Sequence, residues 1–127
     1  MAYTNIDKPT DYFNTKLYTG NNTTNTSITG VGFQPDWVWI KCRSAANSSA
    51  LFNSIVGSVY HLVSNSTAAK AGDGSYFKSF DSDGFTLGTG GQVNDNAVTY
   101  ASWNWLAGGT APSKTYTVKV VNDSGNK

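Results

Sequence analysis

The stretch Trp37-Val38-Trp39-Ile40-Lys41-Cys42 carries the strongest strand signal in the sequence. Aromatic and β-branched residues dominate it, and these residue types favour extended strands. Alternate side chains of a strand point to opposite faces of its sheet, and here both alternate sets are mostly apolar. The stretch therefore predicts a central strand that is covered on both faces.

Further strand-like segments recur along the chain between clusters of glycine and small polar residues. Residues 99–106 form the second strong strand, in which Trp103 and Trp105 share one face. Residues 80–85 predict a tight hairpin turn with aromatic flanks. Weaker strand candidates lie at residues 12–18, 51–52, 59–63 and 76–77. About eight strands at short, regular spacing predict an all-β fold, an antiparallel β-sandwich or barrel.

The composition supports this fold class and excludes several others. The chain of 127 residues has a single-domain length, no glutamate and five leucines, but seven tyrosines, six phenylalanines and four tryptophans. Because the best helix formers are scarce, helical bundles and doubly wound α/β folds are excluded. A net charge of +1 with both signs scattered argues against a nucleic-acid partner. No apolar run has the length that membrane insertion requires.

The last part of the chain differs in composition from the rest. Residues 107–113 have the composition of a linker, residues 115–121 alternate as one more strand, and residues 122–126 predict a hairpin turn without a return strand. We therefore expect a β-sandwich domain at residues 1–110. Residues 111–127 are expected to form a linker and the first strand of a further β module, so that the chain is an N-terminal portion of a longer protein.

Three sequence blocks carry a resemblance to a known family. They are GFQPDWVWIK at residues 32–41, FDSDGFTLG at residues 80–88 and YASWNWLAGG at residues 100–109. In this order and spacing they resemble a lectin-like domain of tail-fibre and other virion surface proteins of marine tailed phages, especially those of cyanobacteria. The resemblance covers about residues 3–110 and implies a jelly-roll sandwich of the concanavalin or SPRY type on the virion surface. Residues 115–127 resemble the start of a second β module.

The resemblance implies a function without catalysis. The first expectation is a structural or surface protein of the phage virion, of tail-fibre or capsid-decoration type, whose partners are copies of itself and neighbouring virion proteins. A homo-oligomer, with a trimer as the first guess, follows from the resemblance alone. Two alternatives stay open: a host-recognition adhesin that binds cell-surface glycan, and a cellular surface or secreted β protein unrelated to phage. Family members carry His, Asp and Arg where this chain has Ser49, Asn53 and Val56, which favours the structural role.

The residues themselves give little support to catalysis. Nucleophilic catalysis requires a nucleophile beside a base, and the chain has one cysteine, Cys42, and one histidine, His61. Cys42 belongs to the strong strand and is predicted to be a buried, inert thiol. Asp81 and Asp83 are two residues apart in a tight turn, which suits a turn better than the paired carboxylates of a glycosidase. We therefore expect no enzyme.

A small set of residues is a candidate for ligand contact. Asp81 and Asp83 followed by Gly84 resemble the start of a calcium loop, and Asp95 could add an oxygen from another loop. A chain without glutamate lacks the carboxylate that closes an EF-hand, so we expect no metal or other cofactor, with calcium as the alternative. The candidate ligand-binding residues are Tyr60, Tyr76, Asp81, Asp83 and Asp95.

The four tryptophans alternate along the two strong strands, a spacing that is typical of a sandwich core. The alternative is that aromatic rings stack on sugars at the surface. We expect at most one tryptophan to be exposed, and a tyrosine such as Tyr60 or Tyr76 to be exposed more often. The predicted structural core contains Trp37, Trp39, Ile40, Phe85, Trp103 and Trp105.

Overall fold

The strand segments form two antiparallel sheets in the computed structural model, which describes residues 8–107. The larger sheet has the order β1 (Phe13–Thr19), β9 (Thr99–Trp105), β3 (Trp37–Cys42), β4 (Ala50–Asn53), β5 (Tyr60–Val63) and β6 (Ala71–Gly72). The smaller sheet has the order β2 (Thr26–Thr29), β8 (Gly84–Leu87) and β7 (Phe77–Asp81). A 3-10 turn at Pro9–Asp11 and the helix α1 (Gly91–Asn94) complete the structure, and no helix within residues 8–107 has the length and apolar character to cross a membrane.

Most of the predicted strands are confirmed, and the all-β expectation is confirmed with them. β3 occupies residues 37–42 as predicted and lies between β9 and β4. The hairpin predicted at residues 80–85 joins β7 to β8, with Asp81 paired to Gly84 across a two-residue turn. Gly84 has a φ of +147°, and a Cβ there would overlap the carbonyl oxygen of Ile28 in β2. The close approach of β2 and β8 therefore requires glycine at this position.

Sequence reasoning does not predict β2 or α1. Ile28 is the one large apolar residue of β2, and the strand forms because it pairs with β8 along its whole length. α1 lies in a stretch of glycine and asparagine that has the composition of a loop. In both cases contacts with the rest of the fold override the local preference. The predicted domain boundary at residue 110 and the strand predicted at residues 115–121 lie outside the described residues.

The two sheets face each other across one shared core. Phe52 of β4 stacks on Phe77 of β7 with 4.5 Å between ring centroids, and Phe77 stacks on Phe85 of β8 at 5.4 Å. Ile40 of β3 and Phe85 are fully buried, as predicted. The other core residues are Ile28, Val38, Cys42, Ala50, Leu87, Val93 and Tyr100. Because both sheets contribute to this cluster, the arrangement is sandwich-like.

The four tryptophans lie on the opposite face of the larger sheet, so their predicted place in the core is corrected. Trp39 keeps 36% of its surface exposed, and Trp37, Trp103 and Trp105 are partly exposed. β3 is central in its sheet, but the three described strands of the smaller sheet pack on the face that carries Ile40. Both alternate sets of β3 are apolar, so their pattern alone does not tell which set becomes covered.

A buried asparagine in α1 connects two loops at one end of the core. Asn94 in α1 is fully buried. Its Nδ2 donates to the carbonyl oxygens of Thr23 at 2.9 Å and Gly88 at 2.7 Å. Its Oδ1 accepts a hydrogen bond from the backbone N–H of Asn21 at 3.0 Å. These bonds fix the loop between β1 and β2 against the end of β8, because a buried amide is stable only when its polar atoms are paired.

Truncations on the two faces of the larger sheet should have unequal effects on stability. Phe85→Ala removes a fully buried ring, and we expect the free energy of unfolding to fall by about 3–5 kcal/mol, the usual range for such truncations. Trp39→Ala removes a partly exposed ring whose place solvent can fill, and we expect a loss of about 1–2 kcal/mol. Urea unfolding measures both values. Equal losses would contradict the one-sided covering of this sheet.

Candidate functional site

The strand register brings five aromatic side chains together on the uncovered side of the larger sheet. Phe13, Trp105 and Trp37 occupy paired positions on β1, β9 and β3, and Trp103 and Trp39 form another pair. The ring centroids of Phe13 and Trp105 are 4.9 Å apart, those of Trp39 and Trp103 are 5.7 Å apart, and both pairs are tilted. We call these five residues the outer aromatic face. Tilted contacts of this kind hold the rings in place.

Exposed leucines extend the outer aromatic face toward both ends of the sheet. Leu17 of β1 is 62% exposed and Leu62 of β5 is 46% exposed, and the register places both on the side of the tryptophans. Lys41 of β3 also belongs to this side, and its Nζ donates to the carbonyl oxygen of Asn47. A contiguous exposed apolar surface marks an interaction site, because single exposed apolar residues are common and large patches are not.

Two adjoining depressions lie beside Trp37 on the same side of the sheet. The first has a cavity volume of about 160 Å³ and is bordered by Trp37, Asn53, Tyr60 and Lys70 among others. The second has a cavity volume of about 220 Å³ and is bordered by Trp37, Asn53 and Trp105 among others. We call the two depressions together the Trp37 groove. A mostly apolar lining with a few polar groups is typical of ligand sites.

A tyrosine ring and a lysine ammonium group form one end of the Trp37 groove. Lys70 ends the exposed stretch of residues 64–70 between β5 and β6. Its Nζ lies 3.9 Å from the centroid of the Tyr60 ring, a cation–π contact. A Cβ at Gly72 would lie 3.2 Å from Cε1 of Tyr60, so glycine in β6 leaves room for this ring. The contact places a positive charge at the rim of an apolar depression.

Hydrogen bonds fix the turn after β4, which borders the groove on another side. Oδ1 of Asn53 accepts from the backbone N–H groups of Ile55 at 2.8 Å and Val56 at 3.3 Å. The hydroxyl of Ser54 donates to the carboxylate of Asp36 at 2.9 Å. Within residues 8–107 the Nδ2 group of Asn53 has no hydrogen-bond partner, so it can donate to a molecule in the groove.

Tyr60 is the predicted ligand-binding residue that the structure places at the groove, where it is 40% exposed. Tyr76 lies on the core side instead, and its ring meets His61 edge-on with 4.9 Å between centroids. A Cβ at Gly90 would overlap the Tyr76 ring, so glycine is required for this packing. The two tyrosines therefore do not form one site.

Asp83, another predicted ligand residue, holds the chain that follows β2. Its carboxylate accepts from the backbone N–H groups of Gly30 at 2.9 Å and Gly32 at 2.7 Å. The hydrogen bonds from Gly32 and Gly30 lower the pKa of Asp83, and the positive charge of Lys16 adds to this effect. These bonds run to the chain after β2 and not within the hairpin of Asp83 itself, so they differ from the local turn chemistry that the sequence analysis favoured over a calcium loop.

The two remaining candidates lie away from the groove and from each other. The carboxylate of Asp81 accepts from the hydroxyls of Ser79 and Thr86, each at 2.7 Å. Asp95 follows α1, beyond the end of β8 that is remote from Asp81. No group of three or more His, Cys, Asp or Glu residues that could hold a metal ion occurs in the described part of the chain. The structure therefore does not bring the predicted calcium ligands together.

The candidate nucleophile and base also occupy separate structural positions. Cys42 of β3 is buried, and its Sγ accepts from the backbone N–H of Ala45 at 3.1 Å. His61 of β5 is buried against the rings of Phe52 and Tyr76, and it also lines the first depression of the Trp37 groove. Burial lowers the pKa of His61, and its Nδ1 has no partner within residues 8–107. A histidine in these surroundings is a packed core residue.

Sequence reasoning missed the Trp37 groove and its residues Trp37, Asn53 and Lys70. Two of the three positions at which the chain departs from the family that it resembles, Asn53 and Val56, border this groove, and Ser49 is buried. The sequence signal that indicates a second contact surface is that both alternate sets of side chains in residues 37–42 are mostly apolar. One set is enough for the core, so the other is available to a binding partner.

A comparison with protein families gives one match and no functional description. A family model described as "Domain of unknown function (DUF7483)" matches residues 8–126. No curated protein and no solved structure matches the chain. The geometry of the described residues is therefore the basis for a functional proposal.

The aspartate geometry predicts that the protein does not depend on calcium. The oxygens of Asp81 and Asp83 already accept protein hydrogen bonds, so a calcium ion would have to displace them. We expect the same melting midpoint in calcium and in chelator, because a ligand raises stability only if the native state binds it. A drop in chelator that Asp83→Ala abolishes would show a calcium site.

The buried histidine predicts a loss of stability at mildly acidic pH. Burial keeps the pKa of His61 below the value of about 6.5 that applies to the unfolded chain. The unfolded state therefore binds the proton first, and the free energy of unfolding falls as the pH drops from about 6.5 toward the lower folded-state pKa. We expect His61→Phe, which keeps an aromatic ring beside Phe52, to flatten this fall in urea unfolding at a series of pH values.

The lowered pKa values of Asp73 and Asp83 do not obscure this test. Their stabilising contributions are fully present above about pH 4 and are lost only as the pH falls below that value. The comparison between about pH 5 and pH 7 therefore isolates the histidine. An unchanged pH dependence in His61→Phe would show that another group causes it.

Proposed function

We propose that this chain, which belongs to the DUF7483 family of domains of unknown function, is a non-enzymatic structural module of a phage virion surface protein. It assembles with copies of itself through the outer aromatic face, in a tail fibre or a capsid decoration. The resemblance of the three sequence blocks supports the virion location. The two packed antiparallel sheets are compatible with the jelly-roll, lectin-like arrangement that the resemblance implies, and that arrangement is part of the proposal.

The exposure of the outer aromatic face is the observation that carries this proposal. Trp39 and Leu17 keep much of their surface in contact with solvent although their strands are long and regular. The centres of protein interfaces are enriched in aromatic residues and poor in charged ones. Lys41 lies on this side of β3 in the row next to Trp39 and Trp103, and its Nζ is held at the carbonyl oxygen of Asn47. The chemistry of the face is therefore that of an interface centre.

The position of Lys16 supports contact through the face of the sheet over contact through its edge. β1 is the outermost described strand beside β9, so its outer backbone edge is open within residues 8–107. Lys16 lies at the middle of β1, is half-buried and points to the core side, opposite Ser102. A charge that points inward from an edge strand opposes the addition of another strand. The five residues of the outer aromatic face include no charged side chain that would oppose contact in this way.

The placement of the titratable residues supports a role without catalysis. Cys42 and His61 are buried in different parts of the core, and Asp81 and Asp83 accept hydrogen bonds that stabilise the β7–β8 hairpin and the chain after β2. Acid–base and nucleophilic mechanisms need such groups side by side at an accessible position. The accessible features of the fold are instead apolar and aromatic, which suits binding.

Sedimentation of the full chain tests the assembly role. We expect the wild type to self-associate and Leu17→Lys to raise the dissociation constant by at least about tenfold, or about 1.4 kcal/mol, because it buries a charge in the contact. Val59→Lys places the same charge at an apolar residue that is 48% exposed outside the outer aromatic face, and should sediment as the wild type does. A wild type that stays monomeric at every concentration would contradict self-assembly.

A further inference from the structure

We propose that the Trp37 groove binds an acidic oligosaccharide, with one sugar ring stacked on Trp37 and the carboxylate of a neighbouring sugar paired with Lys70. This site goes beyond the assembly role: it shares Trp37 and Trp105 with the outer aromatic face, and the rest of it lies around β4, β5 and the residues before β6. Leu17 and the β1 side of the sheet take no part in it. The ligand class follows from three properties of the groove: its aromatic wall, the amide donor of Asn53 and the ammonium group of Lys70.

The aromatic wall suits one face of a pyranose ring. Trp37 is partly exposed and borders both depressions of the groove. The face of an aromatic ring carries partial negative charge and attracts positively polarised hydrogen atoms, such as the C–H groups on one face of a sugar. The cross-strand pairing of Trp37 with Trp105 and with Asn53 fixes its strand position from both sides. The backbone position of Trp37 is therefore fixed before the ligand arrives.

The amide of Asn53 suits the hydroxyl groups at the edge of such a ring. Its Oδ1 is occupied by the backbone N–H groups of Ile55 and Val56, and these bonds hold the side chain in one orientation. Its Nδ2 remains as a donor beside Trp37, and a sugar hydroxyl can accept from it. A polar group held beside an aromatic face gives orientation to a ligand that stacking alone would leave free to slide.

The charge at the first depression favours an acidic sugar there, whereas Asp36 borders the second depression. The carboxylate of the ligand is therefore placed in the first depression. Lys70 is the charged side chain that borders the first depression in the described part of the chain. Its Nζ contacts the ring of Tyr60, and no carboxylate among residues 8–107 is paired with it. A carboxylate that enters the groove gains a charge-assisted hydrogen bond from this ammonium group. The contact with Tyr60 keeps the ammonium group at the rim, so little mobility is lost on binding.

The sheet pairing below the groove disfavours an extended peptide as the ligand. Peptides that bind to sheets usually pair their backbone with an open strand edge. β4 is paired with β3 on one side and β5 on the other, and β5 is also paired with β6. The strands whose residues line the groove, β3, β4, β5 and β9, therefore present side chains rather than open edges, and the outermost strand β6 is only two residues long. A sugar, which binds through its ring face and hydroxyls, needs no backbone edge.

Titration of the full chain with two oligosaccharides tests the proposal. The acidic probe is tetragalacturonic acid, and the neutral probe is maltotetraose. We expect the acidic probe to bind at least about tenfold more tightly than the neutral one, with a change in tryptophan fluorescence. The affinity for the acidic probe should fall with increasing salt, because the Lys70 pair is exposed and is screened. The titrations use monomeric protein, either the wild type or Leu17→Lys, so that they do not depend on self-assembly.

Four variants assign the binding to the groove. Trp37→Leu should lose both probes, and Lys70→Gln should lower the affinity for the acidic probe to that for the neutral one. Lys70 is exposed, so its variant tests the site even if Trp37→Leu fails to fold. Lys78→Gln makes the same charge change on the smaller sheet, and Tyr12→Leu removes a tyrosine that is 43% exposed away from the groove. Both controls should bind as the parent protein does.

Several outcomes would overturn the proposal. If neither probe binds, or if a folded Trp37→Leu binds both as the parent protein does, the groove is not a sugar site. If the two probes bind equally, or if Lys78→Gln weakens the acidic probe as much as Lys70→Gln does, Lys70 does not select an acidic sugar. None of these outcomes bears on the sedimentation of Leu17→Lys, so the assembly role stands or fails separately.

Discussion

The stacked rings of Phe52, Phe77 and Phe85 hold the smaller sheet against the larger one, and this contact determines which side chains of the fold meet water. In the described chain six strands face three, and the three cover one side of the larger sheet. Burial stabilises a fold in proportion to the apolar area removed from water, so the core-facing side chains of β3, β4 and β9 stabilise the fold together with those of the smaller sheet. The outward-facing sets of the same strands remain available for contacts with other molecules.

The outward-facing aromatic residues still contribute to the sheet that carries them. Phe13 with Trp105 and Trp39 with Trp103 form tilted ring pairs across neighbouring strands, and such pairs contribute about 0.5–1.5 kcal/mol each beyond the area they bury. The pairs also restrict the rings to fixed positions. A binding surface of fixed rings loses little conformational entropy when a partner arrives, which makes its apolar area more effective in binding.

The sequence predicts the strands of this fold better than it predicts the environment of their faces. β3 and the β7–β8 hairpin follow from alternation and turn chemistry, because both signals are local. The exposure of Trp39 does not follow, because it depends on how many strands the second sheet contributes and which face they cover. The groove beside Trp37 is harder still to predict, since Lys70 reaches it from a distant loop and the position of that loop depends on the pairing of β5 with β6. The local pattern selects both Tyr60 and Tyr76 as exposed aromatic residues, but Tyr76 packs against the core, so this signal alone does not separate the two.

The rim of the groove can change in evolution independently of the strands, because it lies in the exposed stretch of residues 64–70. Loops at the surface accept substitutions and changes of length at small cost, whereas paired strands with buried faces do not. In this fold Trp37 lies on β3, whereas Lys70, which carries the charge at the rim of the groove, lies on the loop. Mutations in that loop can therefore replace or move the charge while β3 and Trp37 keep their positions. Related proteins can then share this fold and differ in the ligands that they bind.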